Sequence, residues 1–252
     1  MGAIRAEFLK LKRSLSWTVV ALLPLMAVAT GVGNTIVSGQ QLGDGWHTLW
    51  MRVVVFYGLF PLAVGVAVLA SLVWRVEHQG GNWNALMGGK VSSLEIVAAK
   101  TAVLAVPAAA LQAVLVAGVL ATGKLVFDLP GMLPPQYFVA GIAIVAACLP
   151  VAALQSGLSM LMRSFAAPVA VALLGAVTGA FLLMVRLDTL SMILPYGLIS
   201  RATQLGTGTF TDSGTVPPAT VALLIAVALG ATAVVVAAFS ALLDRRDIGW
   251  GG

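Results

Sequence analysis

The chain has 252 residues, of which 60% are hydrophobic and 9% charged, with a formal net charge of +5. Ordinary soluble domains are roughly a quarter charged, so the composition excludes a water-soluble globular protein and points to an integral membrane protein. The basic excess is spread too thinly for nucleic-acid binding, which needs a denser patch of lysine and arginine.

Six apolar runs reach the about 20 residues a helix needs to cross a bilayer: 17–37, 53–74, 101–122, 137–162, 166–185 and 219–243. Barrel strands would show shorter alternating segments, so the expected fold is all-α, a polytopic bundle of six transmembrane helices. The loops are too short for a separate soluble domain and no two segments repeat clearly, so 1–252 is read as one membrane domain. Cys148 is the only cysteine and leaves no internal disulfide to form.

In chain order, residues 2–16 come first and predict an amphipathic helix. Ile4, Phe8, Leu11 and Leu15 recur at helical spacing, while Arg5, Glu7, Lys10, Lys12 and Arg13 supply a polar face. Such a helix lies flat in the membrane interface, in contact with lipid. A secretory signal is the alternative, since Ala27-Val28-Ala29 resembles a cleavage site, but a charged leader containing Glu7 suits it poorly.

Span one is followed by a glycine-rich loop whose Trp46, His47 and Trp50 suit a membrane-water boundary. No second ligand stands at metal spacing from His47, so no metal site is expected. Pro61, Pro107 and Pro150 fall inside spans two, three and four, where each removes a backbone donor and favours a kink.

The stretch 75–100 differs from everything around it, for it holds Arg75, Glu77, His78, Lys90, Glu95 and Lys100 and must face water. Within it, 82–87 can form a short helix carrying Trp83, Leu86 and Met87 on one side, bracketed by glycine pairs at 80/81 and 88/89. Two readings are open for these residues alone: a helix that a soluble partner grips, or an interfacial loop with Trp83 at the headgroups.

Polar side chains within the later spans are few: Gln112, Gln155, Ser156, Ser159 and Thr178. Gln112 and Gln155 are the candidates for a cargo path, although an interhelical hydrogen bond is the favoured role for Gln155. No charged residue is expected near a span centre, which argues against an ion-coupled carrier. Gly175 and Gly179 form a G-x-x-x-G pair that admits a close neighbour, from this chain or another copy. Segment 186–218 is too apolar for a linker and too interrupted to span, and predicts one or two short helices half-embedded at the outer surface, then a flexible turn rich in Gly, Thr and Ser.

Orientation follows from the basic residues. With the N-terminus inside, Arg5, Lys10, Lys12, Arg13, Arg75, Lys90, Lys100, Arg163, Arg245 and Arg246 gather inside, against Arg52, Lys124, Arg186 and Arg201 outside. Both termini are therefore expected in the cytoplasm. No catalytic motif is present: Gly89-Lys90 has Asn84 where a phosphate-binding loop needs glycine and Val91 where it needs Ser or Thr. The chain is therefore not expected to hydrolyse ATP by itself.

The amphipathic start A-E-F-L-K-L-K-R-S (6–14), six spans, and the loop ending S-S-L-E-I-V-A-A-K (92–100) together resemble the permease subunits of ABC-2 type exporters, most closely the branch of lantibiotic-immunity and bacitracin-resistance permeases. The resemblance implies that Glu77 opens a cytoplasmic coupling loop, that Asn82, Trp83, Asn84, Leu86 and Met87 belong to a coupling helix seated on a separate ATP-binding subunit, and that Lys100 leads into span three. It further implies two ATPase copies, which hold ATP and Mg2+, a second permease chain, a bacterial cytoplasmic membrane, and an amphipathic or hydrophobic cargo such as an antimicrobial peptide or drug. The family's Pro-x-Ser-Arg-like turn is replaced here by Lys90-Val91-Ser92-Ser93. A stand-alone channel or carrier and a membrane-embedded lipid-modifying enzyme are the alternatives.

Overall fold

The computed structural model describes residues 7–11, 14–39, 41–78, 91–210 and 212–249. The described residues form helices α1 (7–11), α2 (Ser16–Ser38), α3 (Trp46–Leu59), α4 (Pro61–His78), α5 (Ser93–Leu125), α6 (Pro135–Leu161), α7 (Ala166–Met184), α8 (Asp188–Ile193), α9 (Pro195–Gln204) and α10 (Pro218–Gly249), with no strand among them. Six of these helices, α2, α4, α5, α6, α7 and α10, are long and apolar enough to cross a membrane.

The second span departs from the single run expected over 53–74. It begins earlier, at Trp46, and is broken at Phe60, whose φ of −150° and ψ of −30° lie off the helix. Pro61 is the reason: it has no N–H to donate and its ring clashes with the turn before it, yet it suits the first position of a new helix. Pro107 and Pro150, by contrast, lie inside continuous helices. Trp46 meets Gly123 near the end of α5 while Glu77 meets Lys100 near its start. The broken pair α3–α4 therefore runs alongside α5 from one end of the bundle to the other. Arg52, expected outside the membrane run, lies within α3.

Trp46, His47 and Trp50, read from the sequence as loop residues, lie in the first turns of α3 and make contacts within the bundle. Trp46 packs on Gly123 and donates from Nε1 to the Pro130 carbonyl at 2.8 Å; the Trp50 ring stacks on Tyr137 with centroids 5.2 Å apart, and the Tyr137 hydroxyl is 2.7 Å from Nδ1 of His47. These large rings join α3 to the ends of α5 and α6, a contribution that burial of aromatic surface makes strongly.

The central helix is α6, which touches α4, α5, α9 and α10. The peripheral helices α2, α7 and α10 expose apolar faces, including Met26, Leu174 and Val234, as lipid-facing helices must. Two short helices do occupy the segment between the last two spans. Of these, α9 packs into the bundle: Tyr196, Leu198, Ile199 and Ala202 are buried where it wedges among α3, α6 and α7. The chain after it is held by hydrogen bonds, the Asp212 carboxylate accepting from the N–H groups of Gly208 at 2.9 Å and Gly214 at 2.8 Å.

Candidate functional site

At the end of the bundle where α4 stops and α5 starts, four charged side chains meet. Lys100 Nζ lies 2.9 Å from Glu7 Oε2 and 3.0 Å from Glu77 Oε1; Lys10 Nζ lies 2.9 Å from Glu7 Oε1 and 2.5 Å from Glu77 Oε1. Lys100 and Glu77 are almost wholly buried, at 1% and 3% exposure, and Glu7 is buried with them. Isolated ions at such depth cost several kcal/mol each. Two carboxylates facing two ammonium groups sum to zero charge and give Lys100 and both acids several bonds at once, which is the arrangement that tolerates burial.

Each member is placed by its helix. Glu77 sits one residue from the end of α4, and Trp74, a turn earlier, puts its ring 4.6 Å beneath the Lys100 ammonium while donating from Nε1 to Ser156 Oγ at 2.8 Å. Lys100 is two turns into α5 because that helix starts at Ser93, not at 101. A capping box fixes the start: Ser92 Oγ accepts from the Glu95 N–H at 3.2 Å, and the Glu95 carboxylate accepts from the Ser92 N–H at 3.3 Å.

The face of α1 differs from the one its pattern suggested. Glu7 and Leu11, one turn apart, point into the bundle; Phe8 is 40% and Leu15 67% exposed. Attraction to Lys100 turns a glutamate inward that a helical-face argument leaves in water. Burial opposes the Lys10 ammonium, but hydrogen bonds to Glu77 and Glu7 and the field of both carboxylates outweigh it, so its pKa is raised above the ordinary lysine value.

Of the residues singled out from sequence, Glu77 and Lys100 are thus brought into direct contact. Asn82, Trp83, Asn84, Leu86 and Met87 lie outside the described residues, as does Ile4. Gly175 and Gly179 face α9 of the same chain: a Cβ at Gly179 would stand 2.8 Å from the Tyr196 carbonyl oxygen, and one at Gly175 would overlap the Tyr196 ring. Gln155 donates from Nε2 to the Tyr196 hydroxyl, tying α6 to α9. Gln112 is buried on α5 beside Gly141, and among the described residues neither of its amide atoms has a hydrogen-bond partner, nor do Gln155 Oε1 and the Tyr57 hydroxyl. Gln112 and Gln155 are both enclosed within this chain.

Glu7, Lys10 and Trp74 were not singled out as members of a site. Nothing in the sequence aligns Glu7 with a lysine 93 positions away, although the Ser92–Glu95 box was readable from its S-x-x-E spacing. No group of three or more His, Cys, Asp or Glu among the described residues is placed to share a metal ion.

The sequence model for ABC-2 family transporter proteins matches residues 3–179, a stretch that contains all four members of the ion cluster and ends within α7. No curated protein and no solved structure matches the chain.

Proposed function

The chain belongs to the ABC-2 family of transporter proteins, and from that premise we propose that it is the permease subunit of a bacterial ATP-driven exporter in which the ion cluster anchors the coupling loop. Proteins of this family are in general non-catalytic membrane subunits that work with ABC-type ATPase partners. The observation that carries the reading is the contact between Glu77, just before the 79–92 connection, and Lys100, two turns into the helix that follows it, with Glu7 and Lys10 joining both to the N-terminal segment.

A force applied to the connection has to reach the spans to do work. With both feet of the loop joined in one buried, charge-neutral cluster, displacement of residues 82–87 moves α4, α5 and the N-terminal segment together instead of dissipating in a slack loop. Trp83 and Leu86 are the anchors of that loop on the ATPase, since large buried side chains dominate such contacts. Two permease chains and two ATPase copies, the latter holding ATP and Mg2+, complete the transporter. The basic end faces the cytoplasm of a bacterial inner membrane with both termini, and Phe8 and Leu15 face lipid. The cargo is amphipathic or hydrophobic, an antimicrobial peptide or drug, as in the lantibiotic and bacitracin branch.

Coexpression of the chain with its ATPase separates the parts. Trp83→Ala with Leu86→Ala abolishes co-purification while leaving membrane insertion intact. Glu77→Gln retains co-purification but uncouples cargo-stimulated ATP hydrolysis. Unchanged co-purification of the first variant, or cargo transport into liposomes by the permease alone, overturns the reading.

A further inference from the structure

A cavity of about 350 Å³ opens beside the ion cluster, between the last turn of α4 and the short connection from α6 to α7. That volume falls within the roughly 300–1,000 Å³ of small-molecule pockets. Its lining includes Arg75, His78, Arg163, Ser71, Ser159 and Phe165, and no acidic residue. His78 donates from Nε2 to the Ser159 carbonyl at 2.7 Å, and the Ser71 and Ser159 hydroxyls are 3.2 Å apart, so the floor is held in place.

The two guanidinium groups are different. Neither Arg75 nor Arg163 makes an ion pair or hydrogen bond with any described residue. Of the carboxylates near this end, Glu7 and Glu77 hold lysines and Glu95 caps α5, and none of them lines the cavity. Positive charge is added by the start of the 19-residue α7, where Ser164 Oγ takes the Ala167 N–H at 3.4 Å and Pro168 has none to give. Apolar side chains complete the lining, Met162 and Phe165, the latter about two-fifths exposed. Forked cationic donors, hydroxyls and a helix start around one concavity suit the oxygens of a phosphate, and an apolar rim at a membrane boundary suits the chains attached to it.

We propose that this cavity binds the phosphate of an anionic ligand, with Arg75 and Arg163 as its paired cationic donors and a membrane lipid headgroup as the source. The site uses neither residues 79–90 nor the ion cluster, so it stands or falls apart from the coupling reading.

Native mass spectrometry of the purified full chain tests it, with phosphatidylglycerol, phosphatidylcholine and inorganic phosphate as probes. The chain retains phosphatidylglycerol over phosphatidylcholine by about tenfold, and R75Q/R163Q removes that preference. Both arginines are exposed, so the exchange leaves packing alone, and R245Q, which removes an exposed cation outside the cavity, keeps the preference. Failure of inorganic phosphate to displace the lipid assigns the site to a headgroup; displacement at millimolar concentration assigns it to free phosphate. Equal retention of both lipids, an unchanged preference in R75Q/R163Q, or an equal loss in R245Q overturns the proposal.

Discussion

Two buried polar regions of this bundle solve the same problem in opposite ways. At the α4–α5 end, Glu7, Lys10, Glu77 and Lys100 carry full charges, and each acid answers both lysines within 3.0 Å. Deeper in the bundle, Gln112, Gln155 and Tyr57 are neutral and only partly answered: Gln155 reaches Tyr196, while its Oε1, both amide atoms of Gln112 and the Tyr57 hydroxyl reach no partner among the described residues. A charge without a partner is costly to bury, so the first region resists a change of partners. A neutral amide with spare capacity costs far less, roughly 1–3 kcal/mol, so the second region accommodates a change of partners. A set of fully paired charges beside an interior with spare hydrogen-bonding capacity is the combination that the proposed lever calls for.

The comparison breaks most visibly at Lys100. Lys100→Met leaves two buried carboxylates sharing only Lys10, and should destabilise the chain by about 3–5 kcal/mol. Combining it with Glu77→Gln restores charge balance, leaving Glu7 against Lys10, and recovers most of that loss. Thermal unfolding in detergent measures both. If the double variant is as unstable as the sum of the singles, the cluster is not a mutually compensating set.

The interior should respond more mildly and with a sign that depends on the partner. Gln155→Leu strands the Tyr196 hydroxyl between α6 and α9 and costs about 1–3 kcal/mol, most of which returns in the double variant with Tyr196→Phe. Gln112→Leu removes a group with no hydrogen bond to a described residue, so the same unfolding measurement should show no loss or a gain of about 1 kcal/mol. A loss at Gln112 as large as that at Gln155 would erase the distinction between answered and unanswered amides.

Which parts of this arrangement were legible in the sequence follows from range. The spans were, because some 20 consecutive apolar residues report burial in lipid without reference to any neighbour. Pro61 announced a kink for the same local reason. That the helix before it reaches back to Trp46 was hidden, because His47 and Arg52 lower the hydropathy of a segment whose aromatics are buried by Gly123 and Tyr137 from elsewhere in the chain. Likewise Gly175 and Gly179 signalled a close approach, but only the fold supplies α9 as the partner. Glu77 and Lys100 were reached through family resemblance, whereas Glu7 and Lys10 were assigned to the watery face of an amphipathic helix. Periodicity assumes that a charge seeks solvent, and it cannot register a counter-charge delivered by another helix.

The smallest effect belongs to the cluster's most exposed member and sharpens the boundary between its buried and solvated halves. Lys10 has a raised pKa in the fold, from its bonds to Glu77 and Glu7 working against burial. A group whose folded pKa exceeds its unfolded value contributes its full stabilisation below the unfolded value, near 10.5, and loses it as pH rises through the folded one. With 37% of its side chain exposed, solvent screens the pairs it makes, so the contribution is about 0–1 kcal/mol. Unfolding measured from neutral pH to above 10.5 should therefore show a small alkaline decline that Lys10→Met removes. A decline of the same size in that variant would transfer the alkaline sensitivity to other groups and leave Lys10 as a spectator at the edge of the cluster.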